Sequence, residues 1–115
     1  MDQKVEAKLL ENALSRSLSE LATLRARMEP LVSESRLRVL DGRRMILEHE
    51  EFVGRIRDKI ANGYTAENAL LRVIEELSAM MLTVLDNDLR ERATDFRDIG
   101  DGVLRNLRSG RKRAD

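Results

Sequence analysis

The chain has one imidazole, His49, in the run "LEHEEF", and three sets of close carboxylates: Glu50 with Glu51, Glu75 with Glu76, and Asp86 with Asp88. A lone histidine cannot form a histidine cluster for a metal, and any Ser/His/Asp relay would have to use it. Paired carboxylates suit general acid–base work where burial raises one pKa, and no apolar sequence surrounds these pairs. The chain has no cysteine, which removes disulfides, thiolate nucleophiles and thiolate metal sites. No glycine-rich phosphate-cradling loop accompanies His49. The histidine therefore reads as a turn or capping residue between two helices, and the carboxylates read as charged helix faces. The sequence predicts no metal, no cofactor and no catalytic residue.

The elements that hold these residues follow from composition and spacing. Charged residues make up 37% and aromatics 3% of 115 residues, with a single proline, so the apolar content is mostly Leu, Val, Ile, Ala and Met. That palette builds helices rather than sheets, in a length that suits one core. A formal net charge of zero provides no global field to recruit nucleic acid or an anionic membrane. The opening "MDQKVEAKLL" lacks the apolar centre of a signal peptide, and no stretch approaches the roughly 18 apolar residues of a membrane span. Together with the missing cysteines, this predicts a cytoplasmic protein.

Along the chain, Leu10, Leu14, Leu21, Leu24, Met28 and Leu31 recur at helical spacing, with Ser17 in the missing heptad position. They predict one long helix from Asp2, kinked or ended near Met28 because Pro30 lacks a backbone donor. Ser33 or Ser35 is then positioned to cap a second helix, Glu34 to about Glu48. The pattern loses phase around "EHEEF" and resumes with Phe52, Val53, Ile56 and Ile60 until Asn62 and Gly63 stop it. Thr65 caps a helix expected to reach about Leu85, with Glu67 in its first turn favourable to the dipole. "DND" then recaps the chain into a last helix ending near Ser109 and Gly110. Its stripe of Leu89, Ala93, Phe96, Gly100, Val103 and Leu107 faces the core. Gly100, on that stripe, predicts close approach of a neighbouring helix; Gly102, off it, has no such reason. The domain expected is a bundle over 1–110 with a basic tail at 111–115. Short connections favour antiparallel neighbours, so the fold expected is all-α, an antiparallel four-helix bundle with one broken helix.

One apolar stretch exceeds what a single core face needs. In "LSAMMLTVL", residues 77–85, apolar side chains surround the helix, and Met80 and Met81 are the adaptable type often found at binding surfaces. Both core packing and a partner account for it.

Three runs carry a resemblance: "ILEHEEF", "GYTAENALLRVIEE" and "DNDLRERATDFRDIGDGVLRNL". They resemble the helical subdomain near the N-terminus of phosphoenolpyruvate-utilising phosphotransferases, above all Enzyme I of the bacterial sugar phosphotransferase system. The likeness extends over nearly the whole chain and is closest from Leu40 to Leu107. It implies a four-helix bundle with one helix broken, and a role in docking the small phosphocarrier protein HPr. The Thr-Ser-His signature of the family's phosphorylated loop does not occur in these 115 residues, so no phosphoryl transfer is expected from them alone. The positions matching the docking surface are Arg38, Gly42, Arg43, Ile46, His49, Glu51, Met81, Leu89 and Arg92. Ile46, Met81 and Leu89 keep its apolar character, and Glu51 and Arg92 keep its charge. Arg38, Arg43 and His49 depart from it by adding cationic or titratable groups, which would repel a carrier that presents basic residues. Alternatives to HPr docking are self-association through the same apolar surface and membership of a larger phosphoenolpyruvate-protein phosphotransferase.

Overall fold

The structure, a computed structural model, describes the backbone at positions 2–83 and 87–114 and the side chains at 2–83 and 93–113. Its helices are α1 (Gln3–Met28), α2 (Glu34–Glu48), α3 (Glu50–Ala61), α4 (Ala66–Leu82) and α5 (Asn87–Ala114). Ion pairs and hydrogen bonds between them give the topology. Against α1, Arg25 meets Asp41, Glu11 meets Arg57, and Gln3 donates to the Ala61 carbonyl, so α2 and α3 together run antiparallel to it. Against α5, Glu6, Ser17 and Glu20 of α1 meet Arg111, Asn106 and Arg105, and Glu67 of α4 meets Arg108. This is an antiparallel four-helix bundle whose second helix is broken, as the sequence predicts.

The break lies at His49. Its backbone is extended (φ −80°, ψ 133°), and its N–H still donates to the Ile46 carbonyl. Its Nδ1 accepts from the Glu51 N–H at 3.0 Å, so one side chain ends α2 and caps α3. At the other joints, Pro30 lies just past the end of α1. Ser33 occupies the N-cap position of α2, but its hydroxyl bonds to Ser35 instead of capping. Gly63 (φ +101°) takes the left-handed turn before α4, where Thr65 Oγ1 accepts from the Asn68 N–H.

The core runs through Leu10, Leu14, Phe52, Ile56, Leu70, Val73, Phe96, Val103 and Leu107, with Phe52 and Phe96 packed edge to face at 6.1 Å between centroids. A Cβ on Gly100 would come within 2.8 Å of Ile74 Cγ1, so glycine is what lets α4 and α5 approach there. At Gly102 the nearest atom would be Arg105 Nη2 at 4.0 Å, which leaves that glycine without a packing reason.

Three expectations need correction. The apolar seam of α1 stops short: Leu10 and Leu14 are buried, but Leu24 is exposed and Leu31 is 80% exposed, beside the stretch where Arg25 reaches Asp41 of α2. Helix α4 ends at Leu82, not Leu85, and the Thr83 hydroxyl donates to the Met80 carbonyl. Helix α5 continues past Gly110 to Ala114, because Arg111 in its last turn is tied to Glu6 of α1. Arg105 of α5 pairs with Glu20 of α1 at 3.6 Å.

Glu6 fixes one end of the bundle. It is 3% exposed, accepts from the N–H of Ala66, the first residue of α4, at 2.9 Å, and is paired with Arg111 of α5. One carboxylate from α1 thus satisfies an orphan donor at the start of α4 and a cation at the end of α5. The bonded Arg111 guanidinium holds its pKa below the ordinary value, with the Ala66 N–H adding to the effect and burial opposing it.

Candidate functional site

With α4 starting at the Glu6 end, its C-terminus reaches the opposite end of the bundle, where Phe52 at the start of α3 meets Phe96 of α5. The residues that match the docking surface belong to this end. On α2, positions 38, 42, 45, 46 and 49 repeat at three- and four-residue spacing and so share one face, turned away from the buried Leu37, Leu40 and Leu47. Arg38 and His49 on this face are exposed, Gly42 and Ile46 are half-buried, and Met45 is 65% exposed. Ile46 of α2 and Met81 of α4 both rest on the main core cluster, with part of each side chain left open. Glu51 follows in the first turn of α3.

The chemistry of these positions differs from one to the next. Arg43 faces inward: its Nη2 lies 3.5 Å from Asp95 and 3.6 Å from Asp98, so it ties α2 to α5, while its buried Nε has no hydrogen-bond acceptor. Glu51 is held by Arg55 at 2.6 Å, and Glu48 lies near Arg44 at 3.7 Å. Asp41 is clamped by Arg25 at 2.7 Å, and that hydrogen bond lowers its pKa. Arg38 has no hydrogen bond or ion pair among the described residues, although Glu34 precedes it by one helical turn. Leu89 and Arg92 lie outside the residues whose side chains are described. Among the described residues the arrangement holds no nucleophile–base pair; it presents a helix face with an apolar centre, a gap and a cation.

Gly42 is the gap. A Cβ added there would meet no atom within 4 Å, so nothing in the fold requires glycine at this mid-helix position. Alanine in its place would favour the helix by about 1 kcal/mol. Met45, absent from the positions singled out in the sequence, is the largest exposed apolar group on this face. Its signal was available in its spacing of seven residues from Arg38 and three from Gly42. Glu6 was also legible in part, since it stands four residues before Leu10 on the apolar stripe of α1.

Comparison with known proteins agrees with this architecture. Residues 1–92 match the family described as PEP-utilising enzyme, N-terminal. The phosphoenolpyruvate-protein phosphotransferase of Enterococcus faecalis is 30% identical over 108 residues, which is 92% of this chain and 19% of that protein. The protein of the same name from Latilactobacillus sakei is 34% identical over 108 residues, again 92% of this chain and 19% of the relative. The chain therefore spans about a fifth of the length of these curated relatives. A solution structure of Enzyme I superimposes with a TM-score of 0.88 at 23% identity, covering 95% of this chain and 46% of that one, which shows a shared fold. From the residues matched and the shared bundle, the chain belongs to the N-terminal family of phosphoenolpyruvate-utilising enzymes.

Proposed function

We propose that this chain is a non-catalytic docking bundle that receives a small phosphocarrier protein of the HPr type on the outer face of α2 and the adjoining ends of α4 and α5. The observation that carries this reading is Gly42, a helix-weakening residue with empty space over it, between exposed Arg38 and Met45 and beside half-open Ile46. A missing side chain there gives a partner's backbone or side chain room to approach. The nine positions Arg38, Gly42, Arg43, Ile46, His49, Glu51, Met81, Leu89 and Arg92 form the proposed surface, and Met45 joins them. Arg43 and His49 contribute by holding α2 and its break in place. The same reading gives the chain a cytoplasmic location and makes it the docking part of a phosphoenolpyruvate-protein phosphotransferase system, whether alone or within a longer protein.

The test is a titration of isotope-labelled chain with the HPr-type protein of the same organism. Shifts are expected at Gly42, Met45, Ile46 and Met81. Gly42→Ala is expected to fold more stably and to bind more weakly. Absence of shifts at millimolar carrier refutes the reading.

Self-association is a second reading, favoured by a specific observation: Leu24 and Leu31 of the α1 end and Val39 and Met45 of α2 are all exposed. Sedimentation over a range of concentrations separates the two, since a chain that stays monomeric at high micromolar concentration removes this second reading.

A further inference from the structure

We propose that the outer side of α1, with the last turn of α5, is a second docking surface, and that it takes an acidic amphipathic helix of a partner protein. The surface is a shallow groove at the Glu6 end of the bundle, away from the α2 face. Its charged lining is Lys4, Lys8 and Arg16 of α1 and Arg113 of α5, and no carboxylate lines it. The acids nearest these cations along α1 are engaged elsewhere: Asp2 caps α1, Glu6 is bonded to Arg111 and Ala66, and Glu11 holds Arg57. Glu20 lies 3.8 Å from Arg16 and 3.6 Å from Arg105, which tempers the charge only at the far end of the groove. Lys4 and Lys8 are the centre of the site, since Asp115, close to Arg113 in sequence, lies outside the described residues. The fold gains nothing from these two lysines. Both are exposed, neither makes an ion pair among the described residues, and their spacing sets like charges one helical turn apart, which weakens a helix. Lys4 also stands in the first turn of α1, where the helix dipole disfavours a cation, whereas Arg113 sits in the last turn of α5, where the dipole favours one.

Shape and charge together select the occupant. From Lys4 to Ser19 the groove follows α1 for roughly 22 Å, about four helical turns, which is the length of a short helix rather than of a single anion. Val5, 47% exposed, and the edge of Leu9 provide an apolar strip among the cations, and Ser15, Ser19 and Gly110 are small enough to let a second helix come close. A Cβ on Gly110 would stand 3.7 Å from Leu9 Cδ2, an ordinary contact, so the fold does not need glycine there and the space is left to the groove. A helix with an apolar stripe flanked by carboxylates complements both features. No aromatic ring lines the groove, so the stacking platform that single-stranded nucleic acid uses is missing from it.

The experiment titrates isotope-labelled chain with a synthetic helical peptide of about four turns that carries a leucine stripe flanked by glutamates, with the same peptide carrying lysines in their place, and with phosphatidylglycerol vesicles. The glutamate peptide is expected to shift Lys4, Val5, Lys8 and Gly110, with an affinity that falls as salt rises. A chain carrying both Lys4→Glu and Lys8→Glu should bind it about tenfold more weakly at low salt, and one carrying Lys4→Gln and Lys8→Gln should lose less. Gly110→Ala should fold as the parent does and bind less well, because its methyl enters the groove. Circular dichroism confirms equal folding of all the variants. Absence of shifts at millimolar peptide, equal binding of the glutamate and lysine peptides, or parent-like affinity in both double variants overturns the proposal, as does binding to the vesicles without binding to the peptide. The carrier titration reads the α2 face, so its failure would leave this result standing, and failure here would leave the carrier reading standing.

Discussion

Replacing Glu6 tests whether one buried carboxylate holds three helices together. Glu6→Ala removes an acceptor from the Ala66 N–H, a loss comparable to losing an N-cap, about 1 kcal/mol. It also removes a charged hydrogen bond to Arg111, a class of bond that contributes about 1.5–3 kcal/mol. The lower part of that range applies, because the Arg111 side chain is 37% exposed, so water screens the pair. The expected total is about 3 kcal/mol. Glu6→Gln keeps an oxygen for Ala66 but loses the charge, and should cost about 1–2 kcal/mol. Urea unfolding followed by circular dichroism gives both values. The pH dependence supplies an independent check. The folded-state pKa of Glu6 lies below its unfolded value, so its contribution is complete above about pH 4.3 and is lost as pH falls through the folded value. The gap between parent and Glu6→Gln should therefore close on acidification. A Glu6→Ala chain within about 0.5 kcal/mol of the parent, or a gap to Glu6→Gln that stays constant into acid, would refute the assignment.

Two further predictions concern the backbone. Gly102→Ala should stabilise the chain by up to about 1 kcal/mol, whereas Gly100→Ala, whose new methyl would press on Ile74, should destabilise it by about 1 kcal/mol net of the helix gain; thermal melts of the two variants should move in opposite directions. His49→Ala should cost about 1 kcal/mol through the lost cap on α3, while His49→Asp, which keeps an acceptor at that position, should stay within about 0.5 kcal/mol of the parent, as measured by chemical denaturation.

Much of the candidate site was legible because helical spacing is a local property. Arg38, Gly42, Ile46 and His49 share a face whatever α2 packs against, since their separations are multiples of a turn or nearly so. Whether that face points to solvent was not legible, because it depends on which neighbours cover Leu37, Leu40 and Leu47. The role of Arg43 was likewise beyond the sequence. Two whole helices, α3 and α4, separate it in sequence from Asp95 and Asp98, and only the bundle brings them within 4 Å.

The sequence by itself determined the elements and their joints. Pro30 ends α1 because it has no donor, Gly63 turns the chain where φ must be positive, and Thr65 and His49 supply acceptors to helix starts. Apolar repeats then dictated a bundle, and short connections dictated antiparallel neighbours. Tertiary structure decided how far those elements extend and which of their groups remain free. Helix α5 outlasts Gly110 because Glu6 waits for Arg111 at the end of a different helix, and the α1 seam fades after Leu21, where packing leaves Leu24 exposed. Arg43 is spent within the fold because packing sets α2 against Asp95 and Asp98 of α5. Caps and turns are satisfied by residues a few positions away, so they can be read along the chain; burial and charge pairing are settled by residues distant in sequence, so they exist only once the helices have packed.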